Sequence, residues 1–215
     1  MTFRTSSSDM LLVVDVQRDF CEGGALAVPE GKAVVAPINA LMHHFDHVAI
    51  TQDWHPAGHI SFASSHTSHN PFDMIELGYG LQTLWPDHCV RGTSGAEIHP
   101  ELRLDPVELV LRKGFRHEID SYSAFIENDR QTPTGLAGYL RERGIERVVC
   151  AGLALDYCVR WSAEDAVRLG FEVVVMVDAC RAIGTQPQVD KAIEAMRADG
   201  IDMLATGDVV RGQPG

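Results

Sequence analysis

The chain has no Cys-x-x-Cys pair, no cluster of Lys and Arg, no internal repeat, and no apolar run of the about 18 residues that a membrane helix needs. Each absence removes a class of protein. The five cysteines, Cys21, Cys89, Cys150, Cys158 and Cys180, are odd in number and irregularly spaced, which argues against a disulfide framework and against a four-thiolate zinc site. A formal charge of −12 denies the chain the basic footprint of a nucleic-acid binder and sets it against an acidic membrane surface. The opening Met-Thr-Phe-Arg-Thr-Ser-Ser-Ser-Asp lacks the apolar heart of a secretory signal, so a cytoplasmic address is expected. Aromatic residues are scarce, at 7%, so those that fall in loops carry more weight as pocket candidates.

What is present fits one domain over 1–215: 215 residues, 45% of them hydrophobic, are enough to bury a full core. Met10 to Val16 reads as a strand buried on both faces, the parallel-sheet type. Further strands are read at His47 to Thr51, Val107 to Arg112, Arg147 to Leu153, Phe171 to Val177 and Ile201 to Leu204. Helices are read at about Gly31 to His44, with Pro37 as a kink, from Thr132-Pro-Thr to Arg143, over Asp156 to Leu169, and over Pro187 to Asp199. The alternation predicts an α/β fold: a three-layer open sheet of about six mainly parallel strands with helices on both faces, Rossmann-like. Residues 52–105 resist a regular reading and hold six of the ten histidines. A stretch that long without pattern in a compact domain is expected to bind metal and substrate.

Ligands of such a sheet bind beyond the carboxyl ends of its strands. Asp15, Asp53, Lys113 and Cys158 all fall there. Val148 to Cys158, Val-Val-Cys-Ala-Gly-Leu-Ala-Leu-Asp-Tyr-Cys, runs from strand through a glycine turn into a helix whose first turn holds the thiol. The positive helix end there favours a thiolate. A cysteine nucleophile needs a group that takes its proton and returns one to the leaving amine, which suits Asp15. Lys113 would stabilise the thiolate and keep Asp15 ionised. The amides of Ala154 and Cys158 are the natural pair to hold an oxyanion. Asp53 and His55, spaced i and i+2 at a strand end, point to one side, and His88 closes a three-ligand set for a divalent ion, zinc first, with iron or manganese as alternatives. His59 is a weaker fourth candidate, while His66, His69 and His99 read as solvated loop residues. Phe20, Trp85, Tyr122 and Tyr157 make a slot for a flat ring. Cys150 and Cys180 read as core, Cys21 and Cys89 as loop-lining.

Asp-Val-Gln-Arg-Asp-Phe-Cys-Glu-Gly-Gly-Ala-Leu at Asp15 to Leu26, Asp-Trp-His at Asp53 to His55, Trp-Pro-Asp-His-Cys-Val at Trp85 to Val90, Arg-Lys-Gly at Arg112 to Gly114, and Gly-Leu-Ala-Leu-Asp-Tyr-Cys-Val at Gly152 to Val159 stand in collinear order. Together they resemble nicotinamidases, also called pyrazinamidases, of the isochorismatase-like hydrolase superfamily. The resemblance implies hydrolysis of nicotinamide to nicotinate and ammonia in NAD salvage, and a parallel action on pyrazinamide. It makes Asp15, Lys113 and Cys158 the catalytic triad, Asp53, His55 and His88 the metal ligands, and Phe20 and Trp85 the sandwich around the ring. It also implies a cis bond at Leu153 to Ala154. The alternatives are an amidase of the same superfamily acting on another carboxamide or carbamoyl compound, and a metal-dependent binding or redox-sensing module in which Cys158 is oxidised. The partner expected is the small-molecule substrate, with no nucleic acid and no membrane; a homo-oligomer stays open.

Overall fold

The computed structural model describes residues 2–212. Six strands, β1 (Asp9–Val14), β2 (His47–Asp53), β3 (Leu109–Lys113), β4 (Arg147–Leu153), β5 (Glu172–Arg181) and β6 (Asp202–Leu204), form one parallel sheet in the order β3-β2-β1-β4-β5-β6. The chain therefore begins in the middle, winds out to one edge, returns, and winds out to the other. The winding reverses where β1 lies beside β4, and a crevice opens at the carboxyl ends of such a pair. Asp15 follows the first of these strands and Cys158 the turn after the second.

The continuous apolar run in β1 has its cause in the two faces it must satisfy. Leu11 and Val13 pack with Ile38 and Leu41 of helix α1 (Val35–Leu41) on one side. Met10, Leu12 and Val14 pack on the other with residues of α2 (Leu136–Glu142), α3 (Arg160–Arg168) and α4 (Gln186–Ala198). All six residues of β1 are buried, as a central strand covered by helices on both faces requires. The three-layer architecture read from the sequence is the one observed.

Several boundaries differ for local reasons. β2 and β3 both run on past their predicted ends, so Asp53 and Lys113 are the last residues of paired strands rather than loop residues. β5 extends to Arg181, four residues past the apolar run, with a register shift against β4 between Cys150 and Gly152. Gly152 has φ +125, and a Cβ there would lie 2.2 Å from the carbonyl oxygen of Val14; the backbones of β1 and β4 approach too closely for any side chain. The predicted helix at 31–44 is a 3₁₀ turn (Gly31–Val34), α1, and a second 3₁₀ turn (Met42–His44). Pro37 does not kink α1, because it sits in the first turn, where its missing N–H has no helical partner to lose. Helix α2 starts at Leu136, not at Thr132-Pro-Thr, since Thr134 Oγ1 is bonded to the carbonyl of Ala124 at 2.6 Å and Gly135, at φ 100, makes the entry. Pro187 does stand in the first turn of α4, behind a Thr185–Gln188 capping box. The patternless stretch contains an antiparallel hairpin, Met74–Leu77 with Gly80–Thr83, and the ends of the described chain pair in parallel, Phe3–Arg4 with Val209–Val210. These pieces are short and, in the hairpin, nowhere apolar and buried, so they leave no hydrophobic period to read.

Candidate active site

Asp53 and Lys113 face one another across β2 and β3 as direct pairing partners, which aims both side chains past the same sheet edge. The Lys113 ammonium is buried and reaches four groups: Asp53 Oδ1 at 2.6 Å, Asp15 Oδ2 at 2.8 Å, the carbonyl of Ser121 at 2.9 Å and Cys158 Sγ at 3.6 Å. Asp15 leaves β1 with φ 47, a left-handed conformation that aspartate tolerates better than most residues. Thr51 Oγ1 donates to Asp15 Oδ1 at 2.6 Å and accepts the Asp15 N–H at 3.1 Å. The other carboxylate oxygen, Oδ2, contacts the ammonium but takes no aligned hydrogen bond. A carboxylate oxygen of Asp15, one of Asp53 and the sulfur of Cys158 lie within 4.8 Å of one another. Residues 15, 113 and 158 therefore converge, as expected.

The protonation of this cluster differs from the thiolate that a helix end suggests. Burial pushes the Cys158 thiol well above its usual range, Lys113 works against that, and the Asp15 and Asp53 charges add to it. Burial also raises the Asp15 carboxyl, opposed by Lys113 and by the Thr51 hydroxyl. Burial disfavours the charge on Lys113, but Asp15 and Asp53 outweigh it and hold the ammonium firmly protonated. One cation thus stands among two acids and a thiol, so removing a proton from sulfur needs the nearby acceptor rather than an ambient thiolate.

Beyond β4 the Leu153–Ala154 bond is cis, as the resemblance implied. The turn that follows, Leu155–Val159, has π geometry and runs straight into α3, so the predicted single helix has a wider first turn. The Ala154 carbonyl accepts from the N–H groups of Tyr157 and Val159, both at 3.1 Å, and not from that of Cys158 between them.

The second oxygen of Asp53 faces two imidazoles, His55 Nε2 at 3.5 Å and His88 Nε2 at 3.7 Å. Each ring is oriented through its other nitrogen: His55 Nδ1 donates to the carbonyl of Gly114 and His88 Nδ1 to that of Pro86, both at 2.8 Å. That leaves the two Nε2 lone pairs and one carboxylate oxygen directed at a common point, with His55 Nε2 buried and without a hydrogen-bond partner. The set fits a divalent cation, and the carbonyl-anchored imidazole is the usual way such a ligand is held. Gly114, at φ +66, is required behind it, because a Cβ would meet the His55 ring at 2.5 Å. His59 does not join this set: Nδ1 is bonded to Ser61 Oγ at 2.7 Å and Nε2 to the carbonyls of Arg116 and Ile119. Burial and the neighbouring His55 lower its pKa to about 4, so it stays neutral. It lies with His55 and Asp120 in a second buried group.

Both clusters open into one pocket, lined among others by Phe20, Asp53, Trp85, His88, Tyr122, Ala154, Tyr157, Cys158 and Ile183. All four aromatic residues expected there line it. Phe20 packs edge-on to His88 with centroids 5.5 Å apart, and Trp85 edge-on to Tyr157 at 4.9 Å. Trp85 Nε1 and Gln82 Nε2 both donate to the Tyr122 hydroxyl, at 3.1 and 2.8 Å, so the walls are fixed by hydrogen bonds as well as packing. His69 is exposed, as expected of a loop residue, but His99 is buried and accepts the N–H of Glu101. All five cysteines are free and buried, Cys21 and Cys89 included.

Residues not singled out from the sequence complete the frame. Gln17 is fully buried: Oε1 accepts the N–H of Asp53 at 2.8 Å, and Nε2 donates to the carbonyls of Asp53 and Ala96, both at 2.9 Å. It clamps the strand end that carries the shared acid. Its signal was a glutamine two residues after Asp15 where a turn would normally be solvated. Thr51 and Asp120 carried no such signal.

The Isochorismatase domain model matches residues 9–208, and the chain belongs to that family. Within it, the chain is 48% identical over 210 residues to the nicotinamidase of Acinetobacter baylyi, covering 98% of both chains. A solved structure described as an Acinetobacter baumanii nicotinamidase pyrazinamidease superposes with TM-score 0.93 at 47% identity, covering 94% of this chain and 98% of that one. The pyrazinamidase of Pyrococcus horikoshii in complex with zinc superposes with TM-score 0.75 at 35% identity, covering 92% and 99%. The family resemblance read from the five motifs is borne out. Among the described residues no helix is long and apolar enough to cross a membrane.

Proposed function

We propose that this chain is a metal-assisted cysteine amidohydrolase that converts nicotinamide to nicotinate and ammonia, and pyrazinamide to pyrazinoate, as a single cytoplasmic domain serving NAD salvage. The observation that carries the reading is the Lys113 ammonium, in contact at once with Asp15, Asp53 and the Cys158 sulfur in a chain 48% identical to a nicotinamidase.

Asp15 takes the proton from the Cys158 thiol as sulfur attacks the carboxamide carbon. The carbonyl electron pair moves onto oxygen, and the N–H groups of Ala154 and Cys158 hold that oxyanion. When the pair returns, the C–N bond breaks and Asp15 gives its proton to the departing nitrogen, so ammonia leaves and a thioester remains. Asp15 then takes a proton from water, whose oxygen attacks the thioester; the C–S bond breaks and the proton goes to sulfur. Lys113 keeps Asp15 in its basic form between the two half-reactions. The Lys113 ammonium, 3.6 Å from the sulfur, is placed to meet negative charge as it develops there. Asp53, His55 and His88 would hold one divalent ion, Zn2+ first by donor type, with Fe2+ or Mn2+ as alternatives. Bound there, the ion would supply an electrophilic anchor for a ring nitrogen. Phe20 and Trp85 flank the ring.

The test is ammonia release from nicotinamide, pyrazinamide and an aliphatic carbamoyl compound, each with and without a chelator. Turnover of the two ring amides, lost on chelation and restored by metal, is the expected result. Turnover of the carbamoyl compound alone would move the chain to another amidase of the family, and no ammonia from any would overturn the reading.

A further inference from the structure

The side chain of Asp156, two residues before the thiol, takes no part in the chemistry above. It is buried, and both its oxygens are engaged: Oδ1 accepts the N–H of Ile183 at 3.1 Å and Oδ2 that of Gly184 at 2.8 Å. Both N–H groups belong to the loop between β5 and α4, and Ile183 lines the same pocket as Tyr157 and Cys158. No cation touches this carboxylate among the described residues; its charge is met by two backbone dipoles, an arrangement that fixes position sharply and is lost if either oxygen becomes a donor. Gly184 is shaped to the contact, since a Cβ there would lie 2.6 Å from Asp156 Oδ2. Directly after it, the Thr185–Gln188 box anchors the start of α4. The loop is therefore tied at one end to a helix and at the other to the turn that bears the nucleophile.

We propose that Asp156 is a positioning residue that locks the Cys158 turn to the Ile183 loop, so that one carboxylate sets both the place of the thiol and the width of the pocket beside it. Ile183 is then the side chain that limits ring size. This rests on the ring-amide reading for its substrate, but the latch itself is a property of the fold. In a rigid pocket a displaced wall changes which ring fits, whereas a loss of general stability lowers the turnover of every substrate alike.

The experiment compares Asp156→Asn, Gly184→Ala and Ile183→Ala with the unaltered metal-loaded enzyme. Asp156→Asn places an amide N–H against a backbone N–H. Gly184→Ala keeps every polar group and forces the loop away by contact alone. Two readouts are taken: kcat/KM for nicotinamide against a ring-methylated nicotinamide, and the rate of Cys158 alkylation by iodoacetamide, followed by peptide mass spectrometry so that the other four cysteines do not interfere. The expected result is a shift of the selectivity ratio toward the larger ring by about fivefold or more in all three variants, carried mainly by KM. Cys158 alkylation should be at least about threefold faster in Asp156→Asn and Gly184→Ala but unchanged in Ile183→Ala, which leaves the latch intact. A ratio within about twofold of the parent in the two latch variants, or unaltered alkylation there, overturns the proposal. If the unaltered enzyme releases no ammonia from either ring amide, the substrate reading fails, and the alkylation arm alone decides the latch. Should Asp156→Asn not fold, Gly184→Ala decides it.

Discussion

The two halves of the site are built from similar parts and completed in opposite ways. Around Lys113 every charge meets another within the chain: the ammonium contacts two carboxylates, a carbonyl and the sulfur, and Thr51 closes the remaining side of Asp15. Around His55 and His88 the hydrogen bonds go outward, to the carbonyls of Gly114 and Pro86, and the inward nitrogens are left facing Asp53. The first half is self-sufficient, and its demand on a partner is a proton to move. The second is a donor set that could hold a cation. Asp53 belongs to both, one oxygen to each, so the two clusters share a single carboxylate.

Removing the sulfur should separate the halves most cleanly. Cys158→Ala is expected to lower turnover of nicotinamide by about 10³-fold or more, while metal content by elemental analysis stays at the parent level. If metal is lost with the thiol, the two halves are not independent. His88→Ala should do the converse: metal affinity falls by at least the roughly 10–100-fold that even outer-sphere partners cost, KM for nicotinamide rises, and Cys158 alkylation in the metal-free protein matches that of the metal-free parent. Unchanged metal content would remove His88 from the cradle.

The smallest effect sharpens the relay alone. Asp15 must be ionised to act, and burial raises its pKa, so kcat/KM should fall with decreasing pH through a limb above the ordinary carboxylate value of 3.8. Thr51 donates to the charged form and therefore lowers that pKa. Thr51→Val removes the donor at nearly constant volume, which moves the acid limb upward and reduces kcat/KM on the plateau by about tenfold or less. A limb that stays in place would show that Asp15 is not the group being titrated.

The fold was legible because its signal is local. A strand such as β1 that must satisfy two helix layers writes its burial into consecutive residues, and Gly144, Gly170 and Gly200 mark helix ends in the sequence as they do in the structure. The site residues were legible for a related reason: Asp15, Asp53 and Lys113 stand at or just after strand ends, and parallel strands share one carboxyl edge. What could not be read lies in pairings between distant segments. Gln17 was not singled out, yet it clamps Asp53. Asp156 looked like the first residue of a helix, yet it closes a loop almost thirty positions away. His59 looked like a ligand in reserve until both its nitrogens were found engaged.

By itself the sequence determined which chemical groups would stand at the carboxyl edge of the sheet, since hydrophobic period and the succession of strands and helices follow from neighbours along the chain. Only the tertiary structure decided their state. Whether the thiol carries its proton, which imidazole nitrogen faces inward, and which acid holds a loop rather than a cation depend on burial and on partners far apart in sequence. A free energy set by desolvation and by distance through space has no counterpart in residue order.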